Sequence, residues 1–470
     1  MIKQDRRIEP AERHHMMTNE PVGKLIVSLA LPTIFSMLVS SLYSMADTYF
    51  VSKIDISATA AVGVAFPLFI IIQAISMMLS MGAGSFSARL LGAGNVDMAN
   101  RTVSTAFILS VSCGTIIGLF SIIFIEPLML LLGATPTSLQ YAVDYAFWVI
   151  IASPFFSASF VLNATIRQEG SAKLASIGML SGSIINVILD PIFIFILDLG
   201  IVGAALATSI SQIISFLILF YFVLRKKTVT RIKLSFFTPN KIILKEIFGM
   251  GTPAFFQQGL QSLSGILLNN GASFYGGDLA LGSMQITHRI IMIIVQVILG
   301  FSNGFSPVCG YNYGAGKFER VKESFKFSQK TGIFVTTIII TTGILFAPQI
   351  ISLFGKDNPD LIDIGSTILR IQFSILPFMV FIIISNSLFQ ACGKPIKAAI
   401  MSLTRQGLFF IPLIIILPRL FGLDGVIIAQ PLANFISFLV SVPLTISMLH
   451  EINRIQKSGE VPIYPYSYDK

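Results

Sequence analysis

The sequence predicts an all-α membrane protein of twelve transmembrane helices, arranged as two pseudo-symmetric six-helix bundles. Three observations predict it. The chain carries too little charge for a soluble surface. It contains twelve long apolar runs. Its second half repeats its first.

Charged residues make up 12% of the 470 residues and hydrophobic residues 54%. Mean hydropathy is +0.81. A soluble domain carries roughly 25% charge, so a water-soluble multi-domain protein is excluded. The 40 Phe and the long aliphatic runs exclude a disordered chain. The three cysteines, Cys113, Cys309 and Cys392, are odd in number and form no CxxC. They predict neither a disulfide framework nor a zinc site, and are read as reduced structural residues. No short apolar segment near the N-terminus ends in a small-residue cleavage site, so the first apolar run is expected to be a permanent span.

A helical span needs ~20 mostly apolar residues to cross ~30 Å of hydrocarbon. Such runs lie near 25–51, 57–88, 102–125, 139–164, 174–197, 201–224, 246–273, 279–307, 328–354, 361–390, 396–418 and 424–449. They are too long and too continuously apolar for barrel strands. With the N-terminus on the cytoplasmic side, 26 of the 32 Lys and Arg fall in cytoplasmic tails and turns. Only Lys53, Lys356 and Arg419 fall outside, and Arg289, Arg370 and Arg405 lie within spans. That asymmetry predicts cytoplasmic termini and a plasma-membrane location. It also explains the net charge of +9 as a topology signal, which excludes nucleic acid as a partner.

The repeat has an offset of about 222 residues. Gly92-Ala93-Gly94 recurs as Gly314-Ala315-Gly316, Gly200 and Gly203 as Gly422 and Gly425, and Gly82 as Gly304. Ile214-Ser215-Phe216-Leu217 recurs as Ile436-Ser437-Phe438-Leu439. The expected organisation is a cytoplasmic N-tail (1–23), an N-terminal lobe (24–225), a cytoplasmic linker (226–244), a C-terminal lobe (245–450) and a cytoplasmic C-tail (451–470). Six spans per lobe, an even number, give both lobes the same orientation. Parallel repeats of this kind are one plan of secondary transporters, with a site between halves that move against each other. No Walker A motif is present, so ATP is not the expected driver.

An ionisable residue within a span costs roughly 2.5–3.5 kcal/mol on insertion scales and needs a reason. Two acids stand out, Asp47 in span one and Asp190 in span five. Counted from the outer ends of their spans, both lie ~9–12 Å deep, and Thr208 in span six lies at a similar depth. Asn186 shares a helix face with Asp190. Pro191 leaves the Val187 carbonyl without its helical partner. Two carboxylates, an amide, a hydroxyl and a carbonyl at one level suit a proton or Na⁺ rather than a soft metal. Nearby carboxylates also favour sharing one proton near neutral pH. The corresponding C-terminal spans lack such acids, and span seven offers Gln257, Gln258 and Gln261 instead. In span eight, Arg289 with Gln285 and Gln296 either lines a polar cavity or is satisfied by carbonyls and water. His288 beside it titrates near neutral pH or is structural.

These residues resemble a known family. The two six-span halves, Ala30-Leu31-Pro32 followed by Ala46-Asp47-Thr48, Asn186-x-x-x-Asp190-Pro191, Thr208 after Gly203, and Gly92-Ala93-Gly94 with Asn95 are together similar to multidrug and toxic compound extrusion (MATE) transporters. The resemblance covers nearly the whole chain and implies the branch with an acidic cation site in the N-terminal half. It implies antiport, in which H⁺ or Na⁺ enters and a cationic or amphipathic organic compound leaves. Asp47, Asn186, Asp190 and Thr208 look like the cation-coupling positions, and would be the metal ligands if the ion is Na⁺. Pro32 looks like the proline at which the first helix bends. Gln257, Gln261, Gln285, His288 and Arg289 are the expected substrate-cavity residues. The coupling ion apart, no cofactor is expected, and the partners are substrate and membrane lipid, with the chain acting as a monomer. The alternative within the same superfamily is a lipid-linked oligosaccharide flippase. It would want a strongly cationic central cavity, for which Arg289 alone qualifies. With no HExxH pair and no GxSxG nucleophile, an enzyme is not expected.

Overall fold

The computed structural model describes residues 9–354 and 358–459. Lys3, Arg6, Arg7, Lys356 and Lys470, all counted in the charge asymmetry, lie outside the described residues. Every regular element among the described residues is helical.

Helices Val22–Ser52, Ile56–Gly92 and Val96–Ile123 form spans one to three. Span four breaks at Ala152 into Leu139–Ile151 and Ser153–Gln168, bent by 48°. Span five is Ala172–Pro191 and span six Gly200–Leu224. Span nine is Phe318–Leu345. Span ten breaks at Ile375 into Pro359–Ser374 and Leu376–Ala391, bent by 44°. Span eleven runs through Pro395–Leu403, a π turn Thr404–Leu408 and Phe410–Phe421, and span twelve is Leu423–Ser458. Both breaks come just before a proline, Pro154 and Pro377, as expected where a ring cannot continue the preceding helix.

Spans seven and eight are two arms of one segment, Lys241–Gly314, that is helical over 74 residues apart from Gly277. A straight helix of that length would run ~110 Å, far more than a membrane. Gly277 interrupts it with φ 63° and ψ −161°. Asn269 and Gln285, eight residues to either side, share a hydrogen bond of 2.8 Å. The segment therefore doubles back as a hairpin, and both arms cross.

The repeated glycines have two physical uses. Gly94 and Gly316 turn the chain after spans two and eight with φ of 78° and 71°, which a side chain would resist. Others let backbones touch. A Cβ on Gly82 would collide with the carbonyl of Ile247, and one on Gly304 with Ala30. Likewise Gly251 lies on Met78, Gly300 on Ile34, Gly92 on Tyr311 and Gly314 on Arg89. The six contacts form three pairs related by the repeat. They join spans one and two to spans seven and eight, all toward the end that carries the Gly94 and Gly316 turns. Small residues are how membrane helices gain such contact, since burial from water is not available there.

Segments expected to be tail and linker are built into that same end. Pro10–Asn19 is a helix lying across both halves. Arg13 donates to the Gly170 carbonyl at 2.9 Å on the N-terminal side. Asn312 donates to the Met17 carbonyl at 3.0 Å, Lys317 to Thr18 at 3.1 Å and Arg320 to Glu20 at 2.6 Å on the C-terminal side. Met17 and Thr18 are buried between. The linker is pinned to spans three and four. Glu169 Oε2 accepts from the backbone N–H groups of Val229 at 3.1 Å and Thr230 at 3.0 Å, and Asn100 Oδ1 from Arg231 at 2.7 Å. Helix resumes at Lys241, inside the segment expected as linker. Across the halves, Arg89 pairs with Glu246 at 2.7 Å. The three cysteines are free, and the Cys309 and Cys392 sulfurs lie 3.9 Å apart.

Candidate functional site

The candidate cation site starts from a proline. Pro191 has no N–H to give the Val187 carbonyl. The helix loosens there into the π turn Ile192–Ile196, closed by the Leu197 N–H on the Ile192 carbonyl at 2.9 Å. Asp190 stands at this transition and is fully buried, and Asn186 one turn earlier is 2% exposed. Asn186 Nδ2 lies 3.4 Å from Asp190 Oδ1 and 3.4 Å from Thr208 Oγ1, so it bridges spans five and six. Turned over, the same amide donates to Asp190 Oδ2 at 3.0 Å and accepts from the Thr208 backbone N–H at 3.3 Å. Asp47, from span one, brings its carboxyl within hydrogen-bonding reach of Asp190. The four residues read from the sequence therefore meet in space.

Their surroundings matter as much. Among the described residues no Lys, Arg or His pairs with either acid. Two carboxylates this close cannot both stay charged away from water without a shared proton or a cation between them. The donors are two carboxyls, an amide and a hydroxyl, a hard-oxygen set that fits H⁺ or Na⁺. No group of three or more His, Cys, Asp or Glu among the described residues could hold another metal. Tyr43 and Tyr145 lie in the field of both acids, and sequence reasoning missed them. Tyr43 had a signal, being one helical turn before Asp47. Tyr145 had none, since span four reaches the site only through the fold. A small recess beside Thr208 is lined by Phe69, Ile72, Val149, Phe156 and Gln212.

The space between the halves is closed at one end and open at the other. Beyond the glycine contacts come two polar crossings. Gln258 Nε2 donates to Gln73 Oε1 at 3.3 Å, and Gln296 Nε2 to Ser41 Oγ at 3.3 Å. Past these, Ser44, Met45 and Thr48, on the Ser41 face of span one, are exposed, and Met292 and Ile293 of span eight are exposed too. Of the three span-seven glutamines, Gln258 makes the crossing, while Gln257 and Gln261 are half-buried to either side. Gln285 is engaged within the hairpin by Asn269. His288 and Arg289 are exposed, Arg370 is exposed on span ten, and Arg405 is half-buried in the π turn of span eleven. Pro32 lies within the unbroken helix Val22–Ser52.

A family model, MatE, matches the chain twice, over residues 32–192 and 253–416. The chain belongs to the MatE family. The two matches begin 221 residues apart, in step with the repeat. MatE proteins are transporters, and the chain is an integral membrane member of that class. It is 30% identical over 424 residues to the multidrug export protein MepA of Staphylococcus haemolyticus, covering 89% of this chain and 93% of that one. It is 29% identical over 443 residues to MepA of Staphylococcus aureus, covering 91% and 95%. A solved structure described as the outward-facing conformation of a multidrug resistance MATE family transporter of the MOP superfamily is similar at TM-score 0.87. That match has 28% identity and covers 97% of this chain and 99% of that one.

Proposed function

We propose that this MatE protein exports cationic or amphipathic organic compounds across the plasma membrane in exchange for H⁺ or Na⁺. The observation that carries the reading is the approach of Asp47 to Asp190 with no basic partner for either among the described residues. Such a pair suits one shared proton or one small cation. Asn186 and Thr208 complete its oxygen shell. The naming of the MepA relatives as multidrug export proteins supports the substrate class.

The mechanism follows from differential affinity. The positive-inside asymmetry puts both termini in the cytoplasm, so the end open in this structure faces outward. An ion entering from outside binds the acid pair. Span one, which carries Asp47 and contains Pro32, bends at that proline, where the helix lacks one backbone bond. The cleft beside span one narrows and substrate leaves. The lobes, residues 24–225 and 245–450, then rock so that the glycine contacts part and the cytoplasmic end opens. The ion drives this cycle only by binding the two states with different affinity.

The test is export from proteoliposomes under imposed gradients. Asp47→Asn and Asp190→Asn are each expected to abolish export driven by the ion gradient. Wild-type coupling in both variants would sink the reading. Rate measured against Na⁺ at fixed pH then identifies the ion.

A further inference from the structure

The cleft between the halves has one wall with an unanswered charge. On the face of span eight that meets span one, Arg289, Met292, Ile293, Gln296 and Gly300 follow at helical spacing. Their surroundings change steadily along the stripe. Gly300 packs on the backbone of Ile34, and Gln296 bonds Ser41. Met292 and Ile293 are 36% and 37% exposed, and Arg289 is exposed. The stripe thus passes from sealed contact into the open cleft, and Arg289 stands ~10 Å beyond the Gln296 crossing.

Among the described residues Arg289 makes no ion pair and no hydrogen bond. Gln285, one turn away on the same face, is already bonded to Asn269. An arginine within a span demands a partner. Its planar fork of five donors matches a carboxylate in two parallel hydrogen bonds, a fit that an ammonium lacks.

Resting on the export reading, we propose that Arg289 is the anion-recognising residue of the substrate path. It binds the carboxylate of zwitterionic amphiphiles, so that the chain takes such compounds as well as plain cations. The cleft then reads a substrate by two features, its apolar body against Met292 and Ile293 and its carboxylate at Arg289.

Two dyes of one skeleton test this. Rhodamine 110 has a free carboxylate, and rhodamine 123 is its methyl ester. Fluorescence anisotropy gives the affinity of purified protein for each. Arg289→Gln is expected to shift the ratio of the two affinities against rhodamine 110 by about tenfold or more, and Arg289→Lys by less. In the wild type, benzoate is expected to compete with rhodamine 110 and to spare rhodamine 123. This second measurement decides the matter even if Arg289→Gln fails to fold. An unchanged ratio overturns the proposal. So does an equal loss for both dyes, the mark of an arginine held by a lipid phosphate or by the helix. Wild-type protein that binds both dyes and exports neither would defeat the export reading, while the ratio would still decide the role of Arg289.

Discussion

In the N-terminal half, span one carries Asp47. In the C-terminal half the matching contacts of Ala30 with Gly304 and of Ile247 with Gly82 set the register, and the place of Asp47 is taken by Ser264. Ser264 is buried and donates to the Gln406 carbonyl at 2.8 Å. The Gly203 and Gly425 pair likewise sets Gln430 against Thr208, and Gln430 turns to Asn434 of its own helix at 3.5 Å. The same scaffold closes these positions with neutral, internally satisfied groups in one half. In the other it leaves two acids facing each other. The fold therefore does not require the acids. What it shares between halves is the seal; what differs is the chemistry placed above it.

The widest separation between halves is expected in coupling. Asp190→Asn should lower gradient-driven export roughly 100-fold, because an ion without differential affinity shifts no equilibrium. Ser264→Ala should change it less than about twofold. Equal losses in initial vesicle rates would dissolve the distinction. The seal should behave in the opposite way, alike in both halves. Gly82→Ala and Gly304→Ala each force a Cβ into a facing backbone and should each cost ~1–3 kcal/mol in thermal unfolding. A marked difference between them would break the symmetry. At the sealed end, removing the Arg320 bonds to Asn312 and Glu20 should loosen the terminal helix from the C-terminal half. A cysteine at buried Thr18 should then react with maleimide ~10-fold faster in Arg320→Met.

The smallest effect concerns Glu169, whose counterpart turn in the C-terminal half, at Cys392 before Gly393, has no acid. Burial raises the Glu169 carboxyl above the ordinary glutamate value of 4.5, against the opposing pull of the Thr230 backbone N–H and Arg13. The folded chain therefore holds this proton to higher pH than the unfolded chain does. Its contribution to stability is fully present at low pH and is lost as pH rises through the folded value. Glu169→Gln keeps an acceptor for Val229 and Thr230 and removes the charge. Its melting temperature should fall less than that of the wild type between pH 5 and pH 8.

Much of this was legible in the sequence. Span positions, the repeat and the meeting of Asp47, Asn186, Asp190 and Thr208 follow from hydrophobic length, shared offset and matched depth. Those signals are local or periodic. Tyr145 was not legible, because its place beside the acids depends on how span four folds against spans one and five. The terminal helix and the linker were read as plain tails because polar composition marks the solvent side of a membrane. It does not say whether backbone groups find partners there. Nor does composition separate Gln258 from Gln257 and Gln261, which differ only in the direction each takes from the helix.

The linker has a consequence for assembly from parts. Residues up to Thr238 are bound to the N-terminal half through Glu169, Asn100, Ser104 and Thr105. Helix on the other side begins only at Lys241. A break in the chain between these points would sever no such bond. Two polypeptides synthesised separately would then recover the transporter by docking through the glycine faces, the Arg89–Glu246 pair and the terminal helix, and each half could be labelled or exchanged on its own.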